Sequence, residues 1–131
     1  GSVCYHLGEL FLKYLSVDEV HQNVFCVAKL LNEVKHEANS IQKRMIAELN
    51  LLAGQKAFEA FAFQESTAFL DKGIELLPTE DKWVDYILSL DLYSSAAEAH
   101  FCIGNFDKVR EHCDEILRQA TSLIDKRRAY N

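Results

Sequence analysis

The stretch "LYSSAAEAHFCIGNFDKV" (residues 92–109) decides how the fold is read. A helix through Tyr93, Ala96, Ala97 and His100 places two small residues between two large ones on one face. Gly104-Asn105 then makes a turn, Phe106 starts a second helix, and Val109, Cys113 and Ile116 line it. Small residues let the two helices of a hairpin approach closely, and large ones fill the space to the next hairpin.

A second copy of this pattern lies upstream. Asn50, Ala53, Gly54 and Ala57 take the first-helix slots, followed by Phe63, Ser66, Leu70, Gly73 and a closing Pro78. The spacing from Asn50 to Tyr93 is 43 residues (93 − 50), with Phe61 where the turn glycine is expected. A tetratricopeptide repeat has a period of about 34. The excess predicts a fifth helix extended at its N-terminal end.

The helical pattern continues outward from these copies. Leu7, Leu10, Phe11, Tyr14 and Leu15 form a stripe in "VCYHLGELFLKYL" (residues 3–15), and Ser16 with Glu19 makes a capping box. Val20, Val24, Val27, Leu30, Leu31 and Val34 line a second helix. Asn39 or Ser40 caps a third, whose stripe reads Ile41, Met45, Leu49, Leu52 and Ala53. A fourth begins near residues 60–66 and ends at Pro78, which cannot continue it. Thr79 or Asp81 caps a fifth that starts at Trp83; a sixth covers 106–120, and 122–131 starts a further helix.

The expected fold class is therefore all-α, with six to seven helices as antiparallel hairpins at roughly 3–36, 40–78 and 79–120. A closed bundle and a superhelix of stacked hairpins both fit short connections, and repetition favours the superhelix. Gly1-Ser2 reads as a cloning scar, and residues 1–131 as a single helical-repeat domain cut from a longer chain.

Composition narrows the function. One proline and five glycines in 131 residues favour helix throughout. A net charge of −6 argues against a nucleic-acid partner, and Lys126-Arg127-Arg128 reads as a solvated helix surface. No apolar run reaches the roughly 18 residues of a membrane span. Cys4, Cys26, Cys102 and Cys113 form no C-x-x-C pair, which points to reduced thiols and a cytoplasmic location.

Candidate chemistry resolves mostly into packing. His100 and Cys102, two apart on a helix, point about 200° apart, and His112 diverges from Cys113 by about 100°. Neither pair can clamp a metal, so no metal or cofactor is expected. The repeat register instead gives His100 and Cys113 packing slots and His112 an outer face. Asp71 with Glu75, and Glu111 with Glu115, share helix faces that read as solvated, and Phe58, Phe61, Phe63 and Phe69 read as inter-hairpin core.

A more specific resemblance rests on "AELNLLAGQKAFEAFAFQESTAFLDKGIELLP" (residues 47–78), Trp83 and "LSLDLYSSAAEAHFCIGNFDKV" (residues 88–109). Together these resemble the tetratricopeptide-like region of very large multidomain signalling proteins. There, a protein-kinase-like module and a P-loop signal-transduction ATPase precede the repeats, and a sensor module and histidine kinase often follow. "HLGELFL" and "VFCVAKLLN" resemble the upstream repeat, and "LIDKRRAY" the next hairpin. No G-x-x-x-x-G-K-[ST] loop occurs, so the parent's ATPase and two-component kinase activities do not belong to this stretch.

The resemblance implies a non-catalytic scaffold joining ATPase to output kinase, with a free-standing adaptor as the alternative and a small helical enzyme or metal protein as a third reading. The inner wall of the first helices should present Glu48, Leu51, Gln55, Phe58, Asp91, Ser94, Glu98 and Phe101. That acidic wall with apolar spots suits a basic or amphipathic protein segment, including a neighbouring domain of the same chain. Apolar terminal helices carrying Leu10 or Leu123 are expected to favour weak homodimers.

Overall fold

The computed structural model describes the backbone of residues 23–130 and side chains through Arg128. The expected helix at 3–15, the Ser16–Glu19 capping box and Leu10 lie outside the described residues. Within them the chain is all-helical: α1 (Val24–Glu33), a 3-10 turn (Lys35–Glu37), α2 (Ser40–Glu59), α3 (Phe63–Glu75), α4 (Tyr86–Cys102) and α5 (Phe106–Tyr130). Each helix packs chiefly on its sequence neighbours, and α2 also packs on α4.

Local chemistry sets the boundaries. Asn39 caps α2 by accepting from the Gln42 N–H at 2.9 Å, while Gln42 reaches back to the Asn39 N–H at 3.0 Å. At α4 the cap is Asp85, which accepts from the Leu88 N–H, and not Thr79 or Asp81. Asp81 instead accepts from the Trp83 N–H at 3.0 Å, holding Trp83 in the turn before the helix. No break separates residues 106–120 from the expected further helix, because α5 runs on to Tyr130.

The two hairpin connections are built alike, 43 residues apart. Phe61 (φ 62°) and Gly104 (φ 78°) are both left-handed. Ala62 N–H donates to Ala57 C=O at 2.8 Å, and Asn105 N–H to His100 C=O at 2.9 Å. Phe61 N–H donates to Phe58 C=O and Gly104 N–H to Phe101 C=O, completing the same C-terminal cap twice. Phe58 and Phe63 meet edge-on at 5.2 Å, and Phe101 and Phe106 at 5.6 Å. Phe61 therefore does what a glycine does at the second connection, at some cost in backbone strain. The expected N-terminal extension of the fifth helix is absent: α4 has 17 residues against 20 in α2. The long period comes instead from the segment between Glu75 and Tyr86.

The core lies between the hairpins. Leu31, Ile46, Ala53, Leu70, Leu92 and Ala96 are all at most 1% exposed. Gly54 sits against Leu70, and Gly73 against Leu92, where an added Cβ would lie 2.5 Å from each leucine. These are the close helix crossings of α2 on α3 and α3 on α4. The Ser66 hydroxyl donates to the Gly54 carbonyl at 2.7 Å across the first. Between α1 and α2, Asn32 and Asn50 exchange two 2.8 Å hydrogen bonds, which satisfies the fully buried Asn50 amide.

The expected α2 stripe holds at Leu49, Leu52 and Ala53 and fails at its first two positions. Ile41 is 75% and Met45 42% exposed, while Ile46, Ala47, Asn50, Ala53, Gly54 and Ala57 are buried. Contact with α1, α3 and α4 widens the buried face to take in Ile46 and Ala47, and leaves Ile41 and Met45 outside it. The phenylalanines divide similarly: Phe69 is buried, Phe58 and Phe63 half-buried, and Phe61 is 80% exposed at the turn.

Candidate functional site

The expected inner wall is accessible. Glu48, Gln55, Asp91, Glu98 and Phe101 are exposed, and Leu51, Phe58 and Ser94 half-buried. The eight form four pairs related by the 43-residue offset, such as Gln55 with Glu98 and Phe58 with Phe101. Where α2 and α4 pass beside α3 they leave a groove of about 330 Å³, lined by Gln55, Phe58, Glu59, Leu70, Ser95 and Glu98. Three wall residues line it: Gln55, Phe58 and Glu98. The other five stand outside it. Its chemistry is two carboxylates around an aromatic and aliphatic floor, which suits a cation borne on an apolar stem. Arg44 neutralises part of the wall, ion-pairing with Glu48 at 3.4 Å and Asp85 at 2.7 Å. A larger hollow of about 530 Å³ lies near the α2 start, between Lys35, Ile41, Arg44, Leu77 and Val84.

A second constellation forms where α3, α4 and α5 meet. His100, 4% exposed, places Nε2 at 3.0 and 3.1 Å from the two oxygens of Asp71. Its Nδ1 faces the Asn105 side-chain amide at 3.4 Å. His112, 7% exposed, points Nε2 toward Asp71 Oδ1 at 3.9 Å, too far for a hydrogen bond. That nitrogen is buried and has no hydrogen-bond partner. Leaving a buried polar atom unpaired costs about 1–3 kcal/mol. Burial pushes the His112 imidazole below its ordinary value, with Asp71 opposing and His100 and Lys108 reinforcing the shift. Tyr93 closes one side, edge-on to His112 at 5.4 Å and stacked on Trp83 at 5.3 Å.

Here the sequence reading needs correcting. His112 is buried and Cys113 exposed, the reverse of the expected slots. Both positions continue the spacing from Val109 to Ile116, so polarity alone favoured the thiol, whereas the His112 ring packs edge-on to Tyr93. Cys102, like Cys113, lies exposed, away from its buried neighbour. The divergence within each His-Cys pair therefore holds. What sequence spacing missed is that the two histidines converge across helices, with an aspartate 29 residues before His100.

The paired carboxylates separate. Asp71 turns to His100, while Glu75 ion-pairs with Lys35 at 3.3 Å and Lys72 at 3.6 Å. Glu111 meets Lys108 at 3.6 Å. Glu115 accepts from Trp83 Nε1 at 2.9 Å and from Arg118 at 2.7 Å. Burial alone would raise the Glu115 carboxyl, but the Arg118 and Trp83 hydrogen bonds outweigh it and hold it below the usual range.

On α5, Leu117, Leu123 and Ile124 are 64%, 47% and 52% exposed. Among the described residues no helix is long and apolar enough to cross a membrane. No protein-family model, curated protein or solved structure matches the chain.

Proposed function

We propose that this chain is a non-catalytic, tetratricopeptide-like module that holds a basic or amphipathic protein segment on the inner face of α2 and α4. The observation that carries the reading is the doubled connection: the same cap hydrogen bonds, left-handed residue and edge-on phenylalanine pair recur 43 residues apart. Two like hairpins stacked in register present their first helices side by side, which is how such repeats build a continuous binding face. The groove at Gln55, Phe58 and Glu98 lies on that face. Its carboxylates select for a cation, and its half-buried ring offers an anchor for an apolar side chain.

In a multidomain signalling parent the ligand is a neighbouring segment of the same chain, and the module transmits position between an ATPase and a kinase. A cytoplasmic setting follows from that role. Titration calorimetry with a short amphipathic Lys/Leu helix tests the reading. Binding that persists at physiological salt and weakens severalfold in Glu98→Lys supports it. Binding that disappears at moderate salt, or that ignores Glu98→Lys, refutes it, because only nonspecific charge attraction behaves that way.

A further inference from the structure

The Asp71, His100 and His112 constellation has a donor set that a helix-to-helix clamp does not require. A single histidine–aspartate hydrogen bond would tie α3 to α4. Here a second, buried imidazole is brought to the same carboxylate and left unpaired there. The three residues each offer one ligand atom, and these atoms all lie within 4.8 Å of one another.

We propose that Asp71, His100 and His112 bind one divalent transition-metal ion, with Zn²⁺ the best fit. Two imidazole nitrogens and one carboxylate oxygen are a common zinc ligand set with a fourth position for water. At zinc bond lengths of about 2.0–2.2 Å, tetrahedral donors stand roughly 3.3 Å apart. The Asp71 separations from His100 and His112, 3.0 and 3.9 Å, bracket that value. The remaining histidine–histidine separation lies within 4.8 Å and must shorten by up to about 1.5 Å (4.8 − 3.3) on binding. Nitrogen donors disfavour Mg²⁺ and Ca²⁺, which prefer all-oxygen shells.

The surroundings fit a metal as well. His100 must free Nε2 for the ion, so its proton moves to Nδ1. That nitrogen faces the Asn105 amide, whose oxygen accepts a hydrogen bond from Nδ1–H once the amide is turned, fixing the ring as outer partners of ligating histidines do. The His112 nitrogen gains the partner it lacks. The Asp71 side chain is 43% exposed, which gives the ion an entry path and leaves room for water at the open position. None of the three donors belongs to the inner wall or lines its groove, so the proposal stands independently of ligand binding there.

The test uses the whole chain, stripped with chelator and titrated with Zn²⁺ by calorimetry, with Co²⁺ as the spectroscopic probe. One ion per chain is expected, with no response to Mg²⁺ at the same concentration. Asp71→Asn and His112→Gln should each weaken Zn²⁺ by more than the roughly 10–100-fold that loss of an outer partner costs. Circular dichroism verifies that each variant is folded. Should one unfold, the other carries the comparison. Co²⁺ should give visible bands without a thiolate charge-transfer band, a readout on the unaltered chain. No Zn²⁺ binding, affinity unchanged in a folded variant, or a thiolate band from a cysteine site would each overturn the proposal.

Discussion

Replacing Gly54 with alanine sets two effects of known sign against each other. Gly54 lies inside α2, where glycine is about 0.8–1.0 kcal/mol less favourable than alanine. Propensity alone therefore predicts stabilisation. Yet the new Cβ would stand 2.5 Å from Leu70 Cγ and 2.6 Å from Cδ2. Cγ is a branch point, not a movable tip, and Leu70 is 1% exposed. The Ser66–Gly54 hydrogen bond pins the same crossing, so α3 cannot simply retreat. Overpacking of this kind costs roughly 1–3 kcal/mol. The sum predicts a net loss of up to about 2 kcal/mol, and Gly54→Leu should lose more. Urea unfolding followed by the single tryptophan, Trp83, measures it, since that ring is 7% exposed in the fold. A Leu70→Ala background removes the clash, and there Gly54→Ala should gain stability instead. Coupling between the two sites should reach about 1–3 kcal/mol. Equal stabilisation in both backgrounds would refute the close crossing.

Two further outcomes follow from the site and the surface. His112 titrates below its ordinary value in the fold, so the unfolded chain binds more protons and metal-free stability must fall as pH drops below 6.5. The groups facing it are Asp71, His100, Lys108 and Glu111, and His112→Gln should flatten the unfolding midpoint over that window while leaving the later loss from Glu115, which sets in as pH falls through the carboxylate range. Separately, the exposed apolar residues of α5 should drive weak self-association at high concentration, visible as concentration-dependent sedimentation and reduced by Leu123→Glu. A monomer throughout would contradict it.

Much of the helical order was legible because it depends on local chemistry. Asn39, the breaks around Phe61 and Gly104, and the stop before Pro78 are decided within a few residues of chain. The inward faces of α2 and α4 were legible too: Asn50, Ala53, Gly54, Ala57, Tyr93, Ala96, Ala97 and His100 are all buried. Where two registers fit equally well, as for Ile41 and Met45 against Ile46 and Ala47, periodicity could not choose, because the answer depends on where the second neighbour sits. His112 and Cys113 pose the same choice, which depends on the rings of Tyr93 and His100 on another helix. The histidine–aspartate constellation was not legible at all. Spacing rules see partners within one helix, and these three donors come from three. A search for His, Cys, Asp and Glu on facing helices of adjacent hairpins would have been the signal to use.

The central claim is that the α2–α4 face holds a protein segment. Nuclear magnetic resonance of the labelled chain, titrated with the Lys/Leu helix, tests it residue by residue. The account predicts the largest amide shifts at Gln55, Phe58, Glu98 and Phe101, the positions repeated across the two hairpins. Shifts gathered instead on the outer face of α5, or scattered over the acidic surface with no focus, would contradict it.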